Sequence, residues 1–343
     1  MDWFERLTGF RETGYDATRR QLEVQGTQLH SRVNGQSWGI GALELVSLGE
    51  LQGRVSAGSG LAGRLRMRLI QGDVRGLHQV SEYAGALFQV ASQFNLLEMV
   101  GPDVTPEEGV TRYAGDPTQG PACAIAAGAG TVYRNYFAPV AGQAGQTHER
   151  QLDGLADLGA ALSQALDMPV ESLWEMRNGY ALASRQVLQA ISAHLASITQ
   201  EEMEELRSRL RIGVHSDVEV TDAGGSARQP GQPGPLVSQA FCSALPVAYS
   251  RVPKAAWRAF ACLVLEAAYE ATLWAGVLNA RRGASPVVLL TRLGGGAFGN
   301  DDDWIDAALR RALHKAAGFA LDVRLVGRSA PSPALVQMAR EFS

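Results

Sequence analysis

The segment Leu290–Asn300, with the sequence LTRLGGGAFGN, carries the clearest chemical signal in the chain. Its three consecutive glycines let backbone N–H groups surround an anionic oxygen, and a helix predicted to follow points its positive end at the same place. A tight turn with positive φ is the alternative, although one glycine would satisfy it. The pattern predicts a phosphate site formed by the residues Gly294, Gly295, Gly296, Ala297, Phe298, Gly299 and Asn300. A β-carbon at Gly295 is expected to fill the space of the phosphate.

Carboxylates on loops are the second group of candidates, because a positioned carboxylate can activate water or protonate a leaving group. The segment Gly115–Gly120 places Asp116 and the amide of Gln119 just before a predicted helix. Capping of that helix by Asp116 is an equally good interpretation. Glu98, which follows a predicted strand, is a further catalytic candidate, and burial against an arginine is its alternative.

A third cluster lies in Gly213–Thr221, where His215, Asp217 and Glu219 alternate onto one face of a predicted strand. Acid–base chemistry by these side chains is one hypothesis, and a solvated edge strand with a polar outer face is the other. The remaining histidines have no metal-ligand spacing, so we expect neither a metal ion nor a cofactor. Buried thiols without a disulfide are expected at Cys123, Cys242 and Cys262.

Alternating β-like and helical patterns position these residues. Strands are predicted at Arg64–Ile70, Leu87–Asn95, Arg211–Val220, Val237–Leu245, Val287–Thr291 and Leu321–Val326. Helices are predicted at Gln119–Ala127, Trp257–Leu278 and Asp303–Ala316, and the loop 222–235 is predicted to be mobile. This alternation predicts a three-layer α/β/α sandwich over 61–343, with a helical insertion at about 140–210 and residues 1–60 as an N-terminal appendage.

The composition argues against a nucleic-acid polymer or a membrane as partner. The chain has 343 residues, 46% hydrophobic and 19% charged, which is typical of a globular protein and not of a disordered one. Lys and Arg number 31 against 35 Asp and Glu, so the net charge is −4 and no broad basic face is available for a nucleic-acid polymer. Neither a basic leader nor an uninterrupted membrane-length apolar run is apparent, so a cytoplasmic protein without a membrane partner is expected.

Four segments resemble macrodomain motifs and occur in the macrodomain order. Ile70–Val74 (IQGDV) looks like the strand-ending Gly-Asp-Ile motif, and Val90–Asn95 (VASQFN) resembles the Val-Asn-Ala-Ala-Asn segment. Gln239–Tyr249 is similar to the strand and Gly-Pro turn before the late helices, and Gly294–Asn300 is similar to the Ser-x-Gly-x-Phe/Tyr-Gly phosphate loop. The resemblance extends to bacterial effector-type macrodomain hydrolases and, distantly, to poly-ADP-ribose glycohydrolase, whose Gly-Gly-Gly…Gln-Glu-Glu signature is absent.

The resemblance implies a macrodomain-like fold with a pocket for ADP-ribose. It would place Asp73 near the adenine amine, Asn95 near the distal ribose and the backbone of Gly295–Asn300 around the diphosphate, with Val74 as a further ligand-binding residue. Asp116 and Gln119 would then reach the distal ribose.

The leading hypothesis is therefore a metal-independent hydrolase that removes ADP-ribose from modified protein side chains, arginine among them. A non-catalytic reader of ADP-ribose is the first alternative, and an unrelated α/β protein that binds a nucleotide or sugar phosphate is the second. The expected partners are ADP-ribose or ADP-ribosylated proteins.

Overall fold

The computed structural model describes residues 1–223 and 232–343. The described residues form the following strands, in chain order: β1 (Leu22–Gln25), β2 (Gln28–Ser31), β3 (Ser37–Gly39), β4 (Ala42–Ser47), β5 (Arg66–Gln71), β6 (Leu87–Ala91), β7 (Pro139–Val140), β8 (Gln143–Ala144), β9 (Glu175–Arg177), β10 (Tyr180–Leu182), β11 (Arg211–Glu219), β12 (Leu236–Cys242), β13 (Val287–Leu290) and β14 (Asp322–Gly327).

The described residues also form these α-helices: α1 (Trp3–Thr8), α2 (Tyr15–Arg20), α3 (Leu48–Ala57), α4 (Val74–Leu77), α5 (Gln119–Ala126), α6 (Gly128–Tyr136), α7 (Ala156–Leu166), α8 (Val170–Leu173), α9 (Arg185–Ser197), α10 (Gln200–Ser208), α11 (Lys254–Arg281), α12 (Asp302–Lys315) and α13 (Pro333–Glu341). Helix α10 begins with a capping box between Thr199 and Glu202, which satisfies two backbone donors at its start.

The central sheet has seven strands in the order β4-β11-β12-β6-β13-β14-β5. Strands β12, β6, β13, β14 and β5 run parallel, so their carboxyl ends meet at one edge of the sheet. Strand β11 runs antiparallel to both of its neighbours, and its carboxyl end therefore lies at the opposite edge. In open α/β sheets, ligands bind outside the carboxyl ends of the parallel strands.

Successive side chains of a strand point to opposite faces of the sheet, and here both faces are buried. Leu87, Val288 and Leu290 share one cluster with the long helix α11 and with α3, α9 and α12. Phe88 and Leu289 point to the other face and share a cluster with residues of α4 and α5. Helices on both sides of one sheet make the three-layer α/β/α sandwich, so the predicted fold class is confirmed.

Helix α11 is long and apolar enough to cross a membrane by length and composition, with a mean hydropathy of 1.4 over its most apolar window. In the part of the chain that the structure describes, 83% of that window is buried inside the protein. The helix therefore contributes to the core, where it packs against α3, α9 and α12.

The six strands and three helices predicted from the sequence are confirmed, with ends shifted by a few residues. Strand β6 is shorter than predicted, because it ends at Ala91. The stretch 140–210 is not helical throughout, since it includes the hairpins β7–β8 and β9–β10. Residues 224–231 of the loop predicted at 222–235 lie outside the described residues.

The segment predicted as an N-terminal appendage, 1–60, has two parts. Strand β4 pairs with β11 at the edge of the central sheet, and α3 packs on α11 through Leu48, Leu51 and Val55. Residues 42–57 therefore belong to the sandwich, which corrects the boundary drawn at residue 60. The preceding residues form α1, α2 and the three-stranded sheet β1-β2-β3.

Candidate active site

A cavity of about 120 Å³ lies at the carboxyl ends of β6, β12 and β13. It brings together residues from segments that are distant in the sequence. Those lining it include Ser92, Gln93, Glu98, Met99, Asp116, Thr118, Gln119, Tyr180, Tyr249, Thr291, Arg292, Gly294, Gly296, Ala297 and Phe298. The glycine loop, Gln119 and two of the predicted acids therefore face one space.

The glycine loop, residues 291–300, follows β13 directly and presents free backbone donors to this cavity. Tyr269 Oη donates to Thr291 O at 2.7 Å and accepts from Leu293 N at 2.9 Å, which anchors the start of the loop on α11. Within the described part of the chain, the N–H groups of Gly296, Ala297 and Phe298 have no acceptor. Successive free amides in a turn form a concave site for an anion.

The three consecutive glycines of this loop differ in conformation and in the space around them. Gly294 has φ 75°, and a β-carbon there would lie 2.5 Å from Ala244 Cβ, so only glycine fits. A β-carbon at Gly295 would point at Ile305 Cδ1, 3.0 Å away, and Gly295 does not line the cavity. The expectation that a β-carbon at Gly295 would fill the space of the phosphate is therefore wrong. Its neighbour Gly296 is the residue that faces open space in the cavity.

Asn300 and Gly299 lie behind the loop and do not line the cavity. Asn300 Nδ2 donates to Leu245 O at 2.9 Å, which ties the loop to the segment after β12. Gly299 has φ 72°, and a β-carbon there would lie 2.8 Å from Ala248 Cβ. Both residues fix the conformation of the loop. Neither lines the cavity, so the structure does not support their prediction as ligand contacts.

Asp116 lies at the cavity, half-buried, just before α5. Its carboxylate accepts the Thr118 N–H at 2.8 Å, in a turn that precedes the helix. Thr118 itself is the N-cap residue, so Asp116 is not the helix cap that the sequence allowed. Among the described residues no cation pairs with Asp116, and its carboxylate is available to a ligand or water.

Gln119 also lines the cavity, but its amide is occupied. Its Oε1 accepts from Ala91 N at 2.9 Å and its Nε2 donates to Gln89 O at 2.8 Å. These bonds satisfy the backbone of β6 where β13 diverges from it. Gln119 therefore holds the end of β6 in place and offers the cavity mainly its carbon atoms.

Glu98 combines both interpretations offered by the sequence. It lines the cavity, and its fully buried carboxylate pairs with Arg134 Nη2 at 3.2 Å. Burial raises the pKa of Glu98 to about 7, and the Arg134 guanidinium opposes that shift. Arg134 is held by the Leu96 carbonyl and by the face of the Phe241 ring, 3.8 Å away. Burial thus favours the protonated form of Glu98, whereas the contact with Arg134 favours its charged form.

Asn95 does not lie where the resemblance implies, which is near the distal ribose. Its Nδ2 donates to Gln151 Oε1 at 2.8 Å, and its Oδ1 accepts from Leu97 N at 3.0 Å. The side chain is fully buried and does not line the cavity. Strand β6 ends at Ala91 and the chain then turns, with Leu96 at φ 64°, so that Asn95 packs against Gln151 of the insertion and does not reach the edge.

Asp73 and Val74 lie outside this cavity, at the sheet edge formed by β5. Asp73 is exposed and has Arg328 Nη2 3.9 Å away, whereas Val74 is buried in the core, which corrects its assignment to a ligand. A second cavity of about 430 Å³ lies beside them, lined by residues of β5 and β14, by Ser329 and by Arg292. Arg292 lines both cavities, so the two are neighbours.

His215, Asp217 and Glu219 lie away from both cavities. Antiparallel β11 carries Asp217 and Glu219 to the amino edge of the sheet, where Asp217 pairs with Arg282 at 2.6 Å. Glu219 accepts from Gly39 N at 2.7 Å. His215 is buried beside Ile40 O, and burial lowers its pKa to about 3. The catalytic assignment of this cluster is corrected, since a bulge after His215 also breaks its shared face.

An aromatic wall completes the cavity and was not predicted from the sequence. The rings of Tyr180, Tyr249 and Phe298 lie with centroids 5.0 to 5.6 Å apart. Tyr180 comes from the hairpin β9–β10, whose turn is Asn178-Gly179 with φ 45° and 82°. An Asn-Gly pair is a turn signal for a two-residue hairpin, and here it joins the short strands β9 and β10, so it could have located Tyr180.

In the described ranges 1–223 and 232–343, no group of three or more His, Cys, Asp or Glu residues is arranged to hold a metal ion. The cysteines of these ranges are free thiols, and Cys123 and Cys242 are buried.

No protein-family model matches the chain, and no curated protein matches it. Among solved structures, it is similar to poly(ADP-ribose) glycohydrolase from Thermomonospora curvata, at 13% identity and a TM-score of 0.43, over 99% of this chain and 96% of that one. It is also similar to the poly(ADP-ribose) glycohydrolase from Deinococcus radiodurans in complex with ADP-ribose, at 13% identity and a TM-score of 0.44, over 97% and 98% of the chains. This distant likeness concerns overall shape and assigns neither an activity nor residues.

Proposed function

We propose that this protein is a hydrolase that removes ADP-ribose from modified protein side chains. The observation that carries the proposal is that Gly296, Ala297 and Phe298, whose backbone amides have no acceptor among the described residues, line one cavity together with Asp116 and Glu98. The amides supply an anion site, and the acids supply the proton transfers that a glycosidic hydrolysis needs. A cytoplasmic location is part of the proposal.

In this proposal, different parts of ADP-ribose bind in the two neighbouring cavities. In this arrangement the diphosphate binds to the amides of the glycine loop, beside Arg292, which lines both cavities. The larger cavity, near Asp73, takes the adenosine, and the smaller takes the distal ribose between Asp116 and the aromatic wall. The whole ligand needs both cavities, because about 120 Å³ is below the roughly 300 Å³ of a typical small-molecule site.

Hydrolysis requires that the bond between ribose C1 and the side chain break while a water molecule adds to C1. Asp116, which no cation neutralises among the described residues, is placed to take a proton from that water. Glu98, whose pKa burial raises to about 7, is able to hold a proton and to donate it to the leaving nitrogen or oxygen. The developing positive charge on the sugar is stabilised by the carboxylate of Asp116.

Arginine is the modified side chain that this proposal favours. The aromatic faces of Tyr180, Tyr249 and Phe298 attract a guanidinium by cation–π interaction, and Asp116 offers it an unpaired carboxylate. A neutral serine or an anionic carboxylate as leaving group would gain neither interaction.

The test is release of ADP-ribose from a protein carrying ADP-ribosyl-arginine, measured for the parent and for Asp116→Asn. The substitution preserves volume and should lower the rate by a factor on the order of 10² to 10⁴ without a matching loss of ADP-ribose affinity. Asp167→Asn is the matched control, since Asp167 is exposed at the end of α7 with φ 51°, which asparagine tolerates.

The alternatives give different results. A parent protein that binds ADP-ribose but shows no turnover is a reader. A parent protein that binds ADP and ribose phosphate as tightly as ADP-ribose in calorimetry is a general nucleotide or sugar-phosphate binder, and the proposal is then wrong.

A further inference from the structure

The N-terminal residues 1–41 pack against the loop that carries Asp116. Trp3, Phe4, Leu7 and Ile40 share a buried apolar cluster with residues that precede and follow that loop, among them Val110 and Tyr113. Trp3 Nε1 also donates to Thr111 O at 3.3 Å. The N-terminal segment is therefore in direct contact with one wall of the candidate active site.

Glu12 makes the most specific of these contacts. Its two carboxylate oxygens accept the N–H groups of Val110, at 2.9 Å, and Thr111, at 2.7 Å. Tyr136 Oη donates to the same carboxylate at 2.6 Å. Gly109 has φ 82°, and a β-carbon there would lie 2.4 Å from Glu12 Cδ, so glycine is required for this approach. A charged acceptor binds two consecutive backbone donors more strongly than a neutral one.

The two amides that Glu12 binds lie at the start of a short 3₁₀ helix, Thr111–Gly115. This helix ends directly before Asp116, whose N–H donates to Tyr113 O at 3.2 Å. In its middle, Tyr113 Oη accepts the N–H of Glu98 at 3.1 Å. One five-residue element thus connects Glu12 at its beginning, Glu98 at its side and Asp116 at its end.

We propose that Glu12 is a positioning residue, which fixes this 3₁₀ helix so that Asp116 faces the cavity beside Glu98. The inference rests on the proposed function, and it makes the N-terminal segment a part of the active site and not a separate appendage. Glu12 touches no ligand in this arrangement, and its effect reaches the reaction only through Asp116.

The first test is Glu12→Gln, compared in kcat and KM on the ADP-ribosyl-arginine protein. Glutamine keeps one acceptor and turns an N–H donor toward the second amide, so the start of the helix is released. We expect kcat to fall on the order of tenfold to a hundredfold, because small displacements of a catalytic group have effects of that size. The KM and the affinity for ADP-ribose should change little. Glu23→Gln is the control, since Glu23 is half-buried on β1 and its carboxylate pairs with Arg32 at 3.1 Å, away from the 3₁₀ helix.

The same contact is testable from the loop side. Gly109→Ala should reproduce the loss, because its methyl group displaces the Glu12 carboxylate. Gly142→Ala is the matched control, since Gly142 has nearly the same φ, 81°, and open space around it.

A double-variant cycle separates positioning from a general effect on the fold. If Glu12 acts through Asp116, then Glu12→Gln should lower kcat much less in an Asp116→Asn background than in the parent. An equal loss in both backgrounds, or a parent-like kcat for Glu12→Gln, overturns the inference.

Hydrogen exchange followed by mass spectrometry decides the inference independently of turnover. Peptides covering 109–116 should exchange faster in Glu12→Gln, while those of β6 and β13 keep the parent rates. Unchanged exchange in 109–116 overturns the positioning role. A parent protein without turnover contradicts the proposed function instead, and the exchange result still supports or overturns the contact between Glu12 and the loop.

Discussion

The two acids at the cavity, Asp116 and Glu98, differ in burial and in the groups that contact their carboxylates. Asp116 is half-buried and receives one backbone N–H, whereas Glu98 is fully buried against Arg134. Desolvation disfavours the charged form of Glu98 and raises its pKa to about 7. A buried carboxyl group beside a more exposed one is an arrangement that acid–base hydrolysis uses.

The raised pKa of Glu98 predicts a pH dependence of stability. Between about pH 4.5 and 7 the folded chain binds more protons at Glu98 than the unfolded chain, so the free energy of unfolding falls as pH rises through this window. The slope is at most about 1.4 kcal/mol per pH unit. Urea unfolding at several pH values, compared with Glu98→Gln, isolates this contribution.

The Glu98→Gln variant leaves Arg134 without its partner, which typically costs about 3–5 kcal/mol for a buried pair. Carbon-detected NMR of the carboxyl therefore gives a second measurement, on the parent protein itself. A difference between parent and variant that stays flat from pH 4.5 to 7, or a titration near the ordinary pKa of glutamate, contradicts the assignment.

A second prediction concerns Gly296. Valine at this position would place its side chain in the open space before the free amides of Gly296, Ala297 and Phe298. We expect Gly296→Val to lose ADP-ribose affinity on the order of a hundredfold, or more than about 2.7 kcal/mol, while the chain remains folded. Isothermal titration calorimetry measures the affinity, and thermal unfolding tests the fold.

Gly53→Val is the control for this substitution, because Gly53 is exposed on α3 with no atom near its β-carbon position. Full ADP-ribose affinity in folded Gly296→Val would show that the glycine loop does not bind the phosphates.

At the scale of elements, the hairpin β9–β10 connects the insertion to the cavity. Its Asn178-Gly179 turn puts Tyr180 beside Phe298, and Tyr180 Oη donates to Met99 O at 2.7 Å. Asn178 Nδ2 donates to Pro102 O, which fastens the turn to the segment after Glu98. The insertion thus supplies one wall of the site.

The turn allows a matched pair of substitutions. A β-carbon at Gly179, where φ is 82°, would lie 2.6 Å from Gln93 Cβ, whereas Gly142 has φ 81° and open space. Gly179→Ala should cost about 2–4 kcal/mol of unfolding free energy, from backbone strain plus overpacking. Gly142→Ala should cost about 1–2 kcal/mol, from strain alone. Equal losses in urea unfolding would show that the contact of Gly179 with Gln93 does not constrain the hairpin.

At the scale of the whole molecule, the direction of each strand decides which residues meet. The carboxyl ends of β6, β12 and β13 converge on the cavity, and the residues that follow them supply the glycine loop, Glu98 and Tyr249. The reversed direction of β11 removes Asp217 and Glu219 from this edge. We expect the proton transfers at this site to be carried by side-chain acids and not by a metal ion.

Metal removal tests that view. Turnover of the ADP-ribosyl-arginine protein should be unchanged after dialysis against a chelator, because side-chain acids supply the proton transfers. The same preparation with added Mg²⁺ is the control. A rate that is lost on chelation and restored by the metal would contradict acid–base chemistry by Asp116 and Glu98 alone.

The sequence by itself determined the class of fold and the place of the glycine loop after a buried strand. Continuous apolar runs such as Val287–Leu290 can be buried on both faces only in a covered sheet, so local pattern predicts the sandwich. Three glycines after such a strand have few structural uses, and Gly294, Gly296, Ala297 and Phe298 do line the cavity. The acid before α5 was predicted for similar reasons, because its position is local to one strand–loop–helix segment.

Only the tertiary structure decided which acids share the site. In the sequence, Asp217 and Glu219 are candidate acids just as Asp116 is. Strand β11 pairs antiparallel to β12, a contact between segments distant along the chain, and this pairing carries Asp217 and Glu219 away from the cavity. Asn95 left the site because its turn packs against Gln151 and Gly179 of the insertion. Glu98 gained its raised pKa from burial beside Arg134. Strand direction, burial and long-range pairing are properties of the assembled fold, and no short stretch of sequence encodes them.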